Sequence, residues 1–141
     1  IGVKRFYNIL YLGGRLDDEA NPDRESVNIL TWGLGYGIGT AITLSPRMLI
    51  NLEALAIHVN EKEEWTNTLN LLNQFRILID GKIGRYTSLF AGPVGNLMIS
   101  RLVDPDNGEI GSAIAPYQLY EETRNGTNTQ MWVGFTAGLR F

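Results

Sequence analysis

The stretch WGLGYGIGT, at positions 32–40, places a glycine at every second residue. Successive side chains of a β-strand point to opposite faces of the sheet, so one face here carries Leu34, Tyr36 and Ile38 and the other is nearly bare. A dinucleotide-binding loop would need a helix directly after the glycines. Instead, the alternation continues until Pro46 ends the segment. The stretch therefore predicts a long strand with one large apolar face and one face of glycine.

Composition narrows the class of protein. The chain has 141 residues, the length of one domain, and its net charge of −3 lacks the basic footprint of a nucleic-acid-binding protein. The absence of cysteine excludes a disulfide framework and cysteine-ligated metal sites. No apolar run reaches the roughly 18 residues that a transmembrane helix needs. We expect one domain over residues 1–141, with no cofactor and no metal.

Alternation with a period of two recurs along the chain, and turn-rich polar stretches separate the alternating segments. Six strands are predicted, at about residues 4–14, 28–44, 48–59, 68–83, 87–101 and 130–141. Long polar loops follow the first, third and fifth strands, and short turns follow the second and fourth. This segregation of loop lengths is typical of an antiparallel up-and-down transmembrane β-barrel in an outer membrane.

The two faces of the predicted strands differ in a way that favours lipid on the outside. The fourth strand presents Phe75, Ile77 and Ile79 on one face and mostly charged or amide side chains on the other. In a membrane barrel the apolar face looks out and the polar face lines the interior. The predicted interior polar network consists of Glu53, Gln74, Arg76, Asp80, Lys82 and Arg140. Because a small barrel is just wide enough to be filled by its own side chains, we expect this network to close the interior.

Aromatic residues form two predicted bands, as the interfacial girdles of a membrane barrel do. The band near the short turns contains Phe6, Tyr7, Tyr86 and Phe141. The band near the long loops contains Tyr11, Trp32, Trp65 and Trp132.

The C-terminal segment MWVGFTAGLRF, at positions 131–141, alternates apolar residues and ends on phenylalanine. It resembles the last strand of Gram-negative outer-membrane β-barrel proteins. With LFAGPVG at positions 89–95, the chain is similar to small barrels of the OmpA, OmpX and OmpW type, especially those of Bacteroidota. The resemblance implies contact with outer-membrane lipid and lipopolysaccharide, and an assembly signal read by the barrel assembly machinery. That signal would consist of Val133, Phe135, Ala137, Leu139 and Phe141.

The strand count departs from this family, whose small barrels have at least eight strands. Unless two strands escape detection, we expect eight in the complete barrel. A segment before Ile1 would supply the other two, since the chain does not begin with methionine, or another chain would supply them.

No arrangement of residues predicts an enzyme. His58 is the only histidine, and a lipid hydrolase would need a serine such as Ser88 or Ser100 beside it. The stretch DPDNGE, at positions 104–109, lacks the spacing and flanking helices of an EF-hand. An acidic turn is the better interpretation of that stretch.

The sequence leaves several functions open. The favoured one is a structural or interaction barrel whose long acidic loops meet a partner, such as another envelope protein, or the cell exterior. One alternative is a transport barrel for ions or small solutes, and another is a lipid-acting enzyme that depends on His58. The rival fold is a soluble lipocalin-like barrel, which would turn Leu34, Tyr36 and Ile38 inward around an apolar ligand.

Overall fold

Strands account for the regular structure of this chain, as its period-two pattern predicts. The computed structural model describes residues 5–18, 28–61, 69–101 and 117–141. Its strands are β1 (Arg5–Asp18), β2 (Asn28–Ser45), β3 (Met48–Glu61), β4 (Asn70–Lys82), β5 (Ser88–Ser100), β6 (Tyr120–Arg124) and β7 (Thr127–Arg140). The chain is therefore all-β.

The strands form one antiparallel sheet in the order β1-β2-β3-β4-β5-β7-β6. β6 pairs only with the first five residues of β7, from Thr127 to Met131. Within the described ranges no ladder joins β1 to β6 or β7, and the sheet is not closed into a barrel. The predicted antiparallel all-β architecture is confirmed, but the described strands do not form a closed barrel.

The prediction of six strands is wrong, because the stretch at 103–127 that was expected to be one long loop contains β6. All five residues of β6 are exposed, so its sequence YEETR carries no buried apolar face to reveal it. Asn125 and Gly126 connect it to β7 with φ angles of 52° and 71°. Positive φ at both central residues matches the tight turn that best joins antiparallel strands.

β1 also extends beyond its predicted end. The polar residues 15–18 were expected to begin a loop, but they pair with residues 28–31 of β2. The two short turns lie where they were predicted, at residues 46–47 and 83–87. We call the end of the sheet that carries these turns the short-turn end, and the opposite end the long-loop end.

The two faces of the sheet differ sharply in exposure. On one face of β4, Phe75, Ile77 and Ile79 are exposed, whereas Leu78 and Asp80 on the other face are buried. Side chains of the buried face meet across strands that are not neighbours: Tyr7 of β1 reaches Glu53 of β3, and Arg140 of β7 reaches the same carboxylate. The sheet therefore curls, and its buried face lies inside the curve.

The predicted aromatic bands are only partly present. Phe6, Tyr86 and Phe141 are exposed at the short-turn end, as expected. Trp132 is instead buried, and Tyr7 and Tyr11 lie on the buried face. Alternate residues of a strand point to opposite faces, and these three point to the buried face. They therefore fill the interior and do not belong to an external girdle. Trp65 lies outside the described residues.

Candidate functional site

The register of the sheet aligns the interior polar residues in adjacent rows. Glu53 pairs with Gly39 of β2 on one side and with Arg76 of β4 on the other. Gly39 in turn pairs with Tyr7 of β1. Because alternate residues share a face, this row projects a phenol, a carboxylate and a guanidinium into the same interior.

Two buried carboxylates share the guanidinium of Arg140. Nη2 of Arg140 donates to Oε1 of Glu53 at 2.8 Å, and Nη1 donates to Oδ2 of Asp80 at 3.1 Å. Glu53 is 6% exposed and Asp80 is 2% exposed. Carboxylates this deeply buried need paired cations and hydrogen bonds, and the last strand of the chain supplies that cation.

Glu53 has two further partners. The hydroxyl of Tyr7 donates to Oε1 at 2.8 Å, and Nη1 of Arg76 lies 3.7 Å from Oε2. Arg140 and Arg76 also lie over aromatic rings, with their guanidinium carbons 5.8 Å and 6.0 Å from the ring centres of Tyr7 and Tyr11. Residues from β1, β3, β4 and β7 are thus held in one network.

A second set of amides continues the network toward the long-loop end. Nη2 of Arg76 donates to Gln74 at 2.5 Å, and Nε2 of Gln74 donates to Oδ1 of Asn96 at 2.8 Å. Asn96 lies near the backbone carbonyls of Val94 and Trp132. Neutral amides therefore extend the charged cluster by one row.

An apolar cluster begins level with these amides, where Leu55 pairs with Gln74 and Trp132 with Asn96, and continues toward the long-loop end. It consists of Leu55, Ile57, Val59, Leu72, Met98 and Trp132, with Ile9 and Tyr11 packed against it. We call this set the apolar plug. The buried amide Gln130 pairs with Met98 at the level of the plug, and Asn70 and Asn128 lie in the next row toward the long-loop end. The interior of the curled sheet is therefore layered, with charge at the short-turn end and apolar packing farther in.

Five of the six predicted network residues come together in the structure: Glu53, Gln74, Arg76, Asp80 and Arg140. Lys82 is on the same face as Asp80 but lies at the exposed end of β4. Among the described residues, no ion pair joins Lys82 to Glu53 or Asp80. Lys82 instead lines the cavity next to the network.

Sequence reasoning missed Tyr7 and Asn51 as members of this site. Nδ2 of Asn51 lies 3.5 Å from Oδ2 of Asp80. Among the described residues, Oδ1 of Asn51 and Oδ1 of Asp80 have no hydrogen-bond partner, so both acceptors are open. Position parity could have identified Asn51, because it shares a face with Glu53. Parity alone does not connect Tyr7 to Glu53, because the two residues lie on strands that are not neighbours.

The predicted assembly-signal residues all lie on the exposed face of β7 or at the end of the chain: Val133, Phe135, Ala137, Leu139 and Phe141. His58 lies on the face opposite to Glu53, and it is part-buried. Ser100 is on the buried face and Ser88 is at the short-turn end. The structure therefore does not bring His58 together with either serine.

The predicted acidic loops are described only in part. The acidic turn at 104–109 and Glu19 lie outside the described residues. Asp17 and Asp18 lie in β1, and Glu121 and Glu122 lie in β6. Glu122 accepts a hydrogen bond from the Tyr120 hydroxyl, and this bond raises the pKa of that phenol above its ordinary value.

The described ranges hold no group of three or more histidine, cysteine, aspartate or glutamate side chains placed to bind a metal ion. They also contain no helix with the length and hydropathy to span a bilayer. Comparison of the chain with protein-family models, with curated proteins and with solved structures finds no match.

Proposed function

We propose that this chain is an integral outer-membrane β-barrel with a structural or interaction role, whose interior is closed by its own side chains. The observation that carries the proposal is the inverted polarity of the sheet, which has an ion-paired network on its buried face and large apolar side chains on its exposed face. The resemblance of the C-terminal strand to outer-membrane barrels supports the same conclusion.

The exposed face is apolar over most of the sheet. Leu10 is 82% exposed, Phe135 is 72% exposed and Phe75 is 61% exposed. Further exposed residues on this face include Phe6, Leu12, Leu34, Tyr36, Ile38, Leu52, Ile77, Ile79, Leu89, Met131, Val133 and Leu139. A soluble monomer rarely shows a continuous apolar patch above a few hundred Å², whereas the outer face of a membrane barrel is apolar in this way.

The layering of the interior favours a closed barrel over a transport barrel. A conducting path would have to cross both the Glu53–Arg140 network and the apolar plug. Met98 and Ile57 in the plug are almost fully buried, which supports an interior filled by side chains at that level. A structural or interaction role fits this arrangement better than transport.

The lipocalin-like alternative requires Leu34, Tyr36 and Ile38 to surround an internal ligand. All three are exposed, and the buried face of β2 at those levels is glycine. Their exposure supports the membrane proposal, in which these side chains would face lipid.

Barrel closure belongs to the same proposal. In a bilayer, every backbone N–H and C=O must be satisfied within the protein, so the edges of β1 and β7 need pairing partners there. β1 and β7 run antiparallel to each other, which means that an even number of added strands preserves the antiparallel order. We therefore propose that a two-stranded hairpin closes the barrel at eight membrane-spanning strands, which are the hairpin strands and the six long strands β1–β5 and β7; the five-residue β6 is not counted among them.

Gel mobility in SDS tests the proposal first. The full-length protein, extracted in detergent, is expected to migrate as a folded species when unheated and to shift after boiling. Recovery in the aqueous fraction without a mobility shift would contradict a membrane barrel. Planar-bilayer recording of the same sample should show no steady conductance, and a stable open channel would favour the transport alternative.

A pair of cysteine variants tests the orientation of β7. The natural chain has no cysteine, so Phe135→Cys and Thr136→Cys each carry one label site on opposite faces of the same strand. A bimane label at position 135 should be strongly quenched by lipids with brominated acyl chains, and the label at 136 should not. Equal quenching at both positions, or none at 135, would contradict a lipid-facing side chain at Phe135.

A further inference from the structure

We propose that the short-turn end of the interior is a binding vestibule for a phosphate group. The vestibule is a cavity of about 610 Å³ at the edge of β1, beside the Glu53–Arg140 network, and its lining also includes the exposed Phe6 and Leu10. Residues of β1, β3, β4, β5 and β7 line it, including Tyr7, Asn51, Ser88 and Phe90. The inference does not depend on membrane insertion, because it concerns only the interior of the sheet.

The charge of the lining is unbalanced. Four cationic side chains line the vestibule, which are those of Arg5, Arg76, Lys82 and Arg140. The carboxylates in the lining are those of Glu53 and Asp80. With every group in its ordinary ionised state, the lining carries an excess of two positive charges.

The internal pairs account for both carboxylates but not for all four cations. Arg140 binds Glu53 and Asp80, and Arg76 forms the second ion pair of Glu53. Among the described residues, no ion pair joins Arg5 or Lys82 to either carboxylate. The two excess charges are therefore those of Arg5 and Lys82.

These two cations stand at the opening of the vestibule. Arg5 is the first residue of β1 and Lys82 the last of β4, and both are exposed. Lys82 pairs in register with Ser88, which pairs with Arg140. An ammonium, a hydroxyl and a guanidinium therefore lie in one row along the opening, and all three can donate hydrogen bonds to an anion.

A phosphate group fits this set of donors. Phosphate monoesters carry a charge of about −1.5 to −2 near neutral pH and offer three acceptor oxygens, which matches the excess of two charges. Lysine and arginine form strong charge-assisted hydrogen bonds with such groups. Because the apolar plug closes the interior farther in, the group would bind at the short-turn end and would not pass through.

Calorimetric titration of inorganic phosphate into the full chain, folded in an uncharged detergent, tests the inference. Lys82→Gln and Arg5→Gln should each weaken binding about tenfold, the loss expected when one charge-assisted hydrogen bond is removed. Lys82→Arg keeps the charge and should retain binding within a few-fold.

Two arginines outside the vestibule provide matched controls. Arg85 lies in the turn at the same end of the sheet, over the ring of Tyr86, and Arg101 lies at the long-loop end. Arg85→Gln and Arg101→Gln make the same charge change and should leave phosphate affinity unchanged. Equal losses in these controls, or a natural chain that binds neither inorganic phosphate nor phosphatidic acid, would overturn the inference.

A second arm separates the two sources of a phosphate group. Mixed micelles that contain phosphatidic acid are titrated against the same variants. Selective loss with Lys82→Gln in this arm alone identifies a lipid headgroup as the source, and selective loss with inorganic phosphate identifies a free phosphate. Every sample is first checked for the heat-dependent gel shift, so a folded barrel that binds neither probe refutes the vestibule and leaves the proposed function standing.

Discussion

Glu53 holds the interior together at the scale of single residues. Its carboxylate accepts hydrogen bonds from Tyr7 and Arg140 and pairs with Arg76. It therefore joins three other strands to β3. No other described residue is shown to pair with two guanidinium groups in this way.

Glu53→Gln should destabilise the fold because Arg140 is then left with Asp80 alone and Arg76 loses its carboxylate partner. Removing one partner of a fully buried ion pair costs about 3–5 kcal/mol. Since the side chain of Arg140 is 37% exposed, solvent screening reduces the expected loss to about 2 kcal/mol. Urea unfolding in lipid or detergent measures it. Glu122→Gln on the exposed β6 is the matched control, and a loss no larger than that of the control would contradict the prediction.

Gly39 explains why glycine is needed on the buried face of β2. A Cβ atom at this position would lie 2.4 Å from Cζ of Tyr7. The missing side chain leaves room for the Tyr7 ring to lie across β2 and reach Glu53 on β3. The glycine alternation thus serves cross-strand packing and not nucleotide binding.

Gly39→Ala is expected to displace Tyr7 from Glu53 and to lower the free energy of unfolding by about 1–3 kcal/mol, as overpacking does. Gly81→Ala is the control, because a Cβ there would meet its nearest atom only at 4.0 Å. Combining Gly39→Ala with Tyr7→Ala should give less than the sum of the two losses. Full additivity would show that the Tyr7 ring is not the cause.

The β6–β7 hairpin stands out at the scale of elements. β6 pairs along one edge with the start of β7, and all its side chains are exposed. Its register is set by the Asn125–Gly126 turn and by the Glu121 carboxylate, which accepts hydrogen bonds from Asn128 and Gln130. Local turn chemistry, and not burial, therefore specifies this element.

Gly126→Ala should destabilise this hairpin selectively by about 1 kcal/mol, because alanine strains at positive φ. Amide hydrogen exchange should become faster in β6 and at the start of β7 and should not change in β3 and β4. Gly84→Ala, in the turn at the other end, is the comparison, since a Cβ there has only ordinary contacts. Faster exchange throughout the sheet would contradict a local effect.

At the scale of the whole molecule, the side of the sheet on which a residue lies decides its contribution to stability. Met98 is buried in the apolar plug, whereas Met131 is exposed on the opposite face. The two residues have the same side chain and lie on neighbouring strands. They therefore allow a direct comparison of inside and outside.

Met98→Ala should lower the free energy of unfolding by about 2–5 kcal/mol, the cost of a cavity at a close-packed site. Met131→Ala should lose clearly less, because that side chain is 46% exposed among the described residues. Urea unfolding of both variants in the same lipid measures the difference. Equal losses would mean that the exposed face is covered by more protein than the described strands.

Parity along the strands made much of the interior predictable. Gln74, Arg76 and Asp80 occupy even positions of β4, so the sequence alone predicts that they share a face. In the structure all three belong to the interior network. Lys82 shares that parity but stands outside the ion pairs, because it lies at the exposed end of the strand. Periodicity indicates which face of the sheet a residue lies on. It does not indicate whether that residue lies deep in the interior or at an exposed end of the strand.

The antiparallel all-β class, the position of both short turns and the two faces of β2 and β4 could be predicted from the sequence alone. These features follow from local alternation and turn chemistry, which act between residues close in the chain. Four features emerge only from the folded chain: Arg140 reaches Glu53 and Asp80, Tyr7 lies over Gly39, β6 exists, and, among the described residues, β1 and the part of β7 after Met131 are left without a pairing partner on one side. The first two depend on how far the sheet curls, which is a sum of many small strand twists. β6 depends on pairing by a segment with no apolar signature, and the unpaired edges depend on which strands meet in space, which no single stretch of sequence encodes.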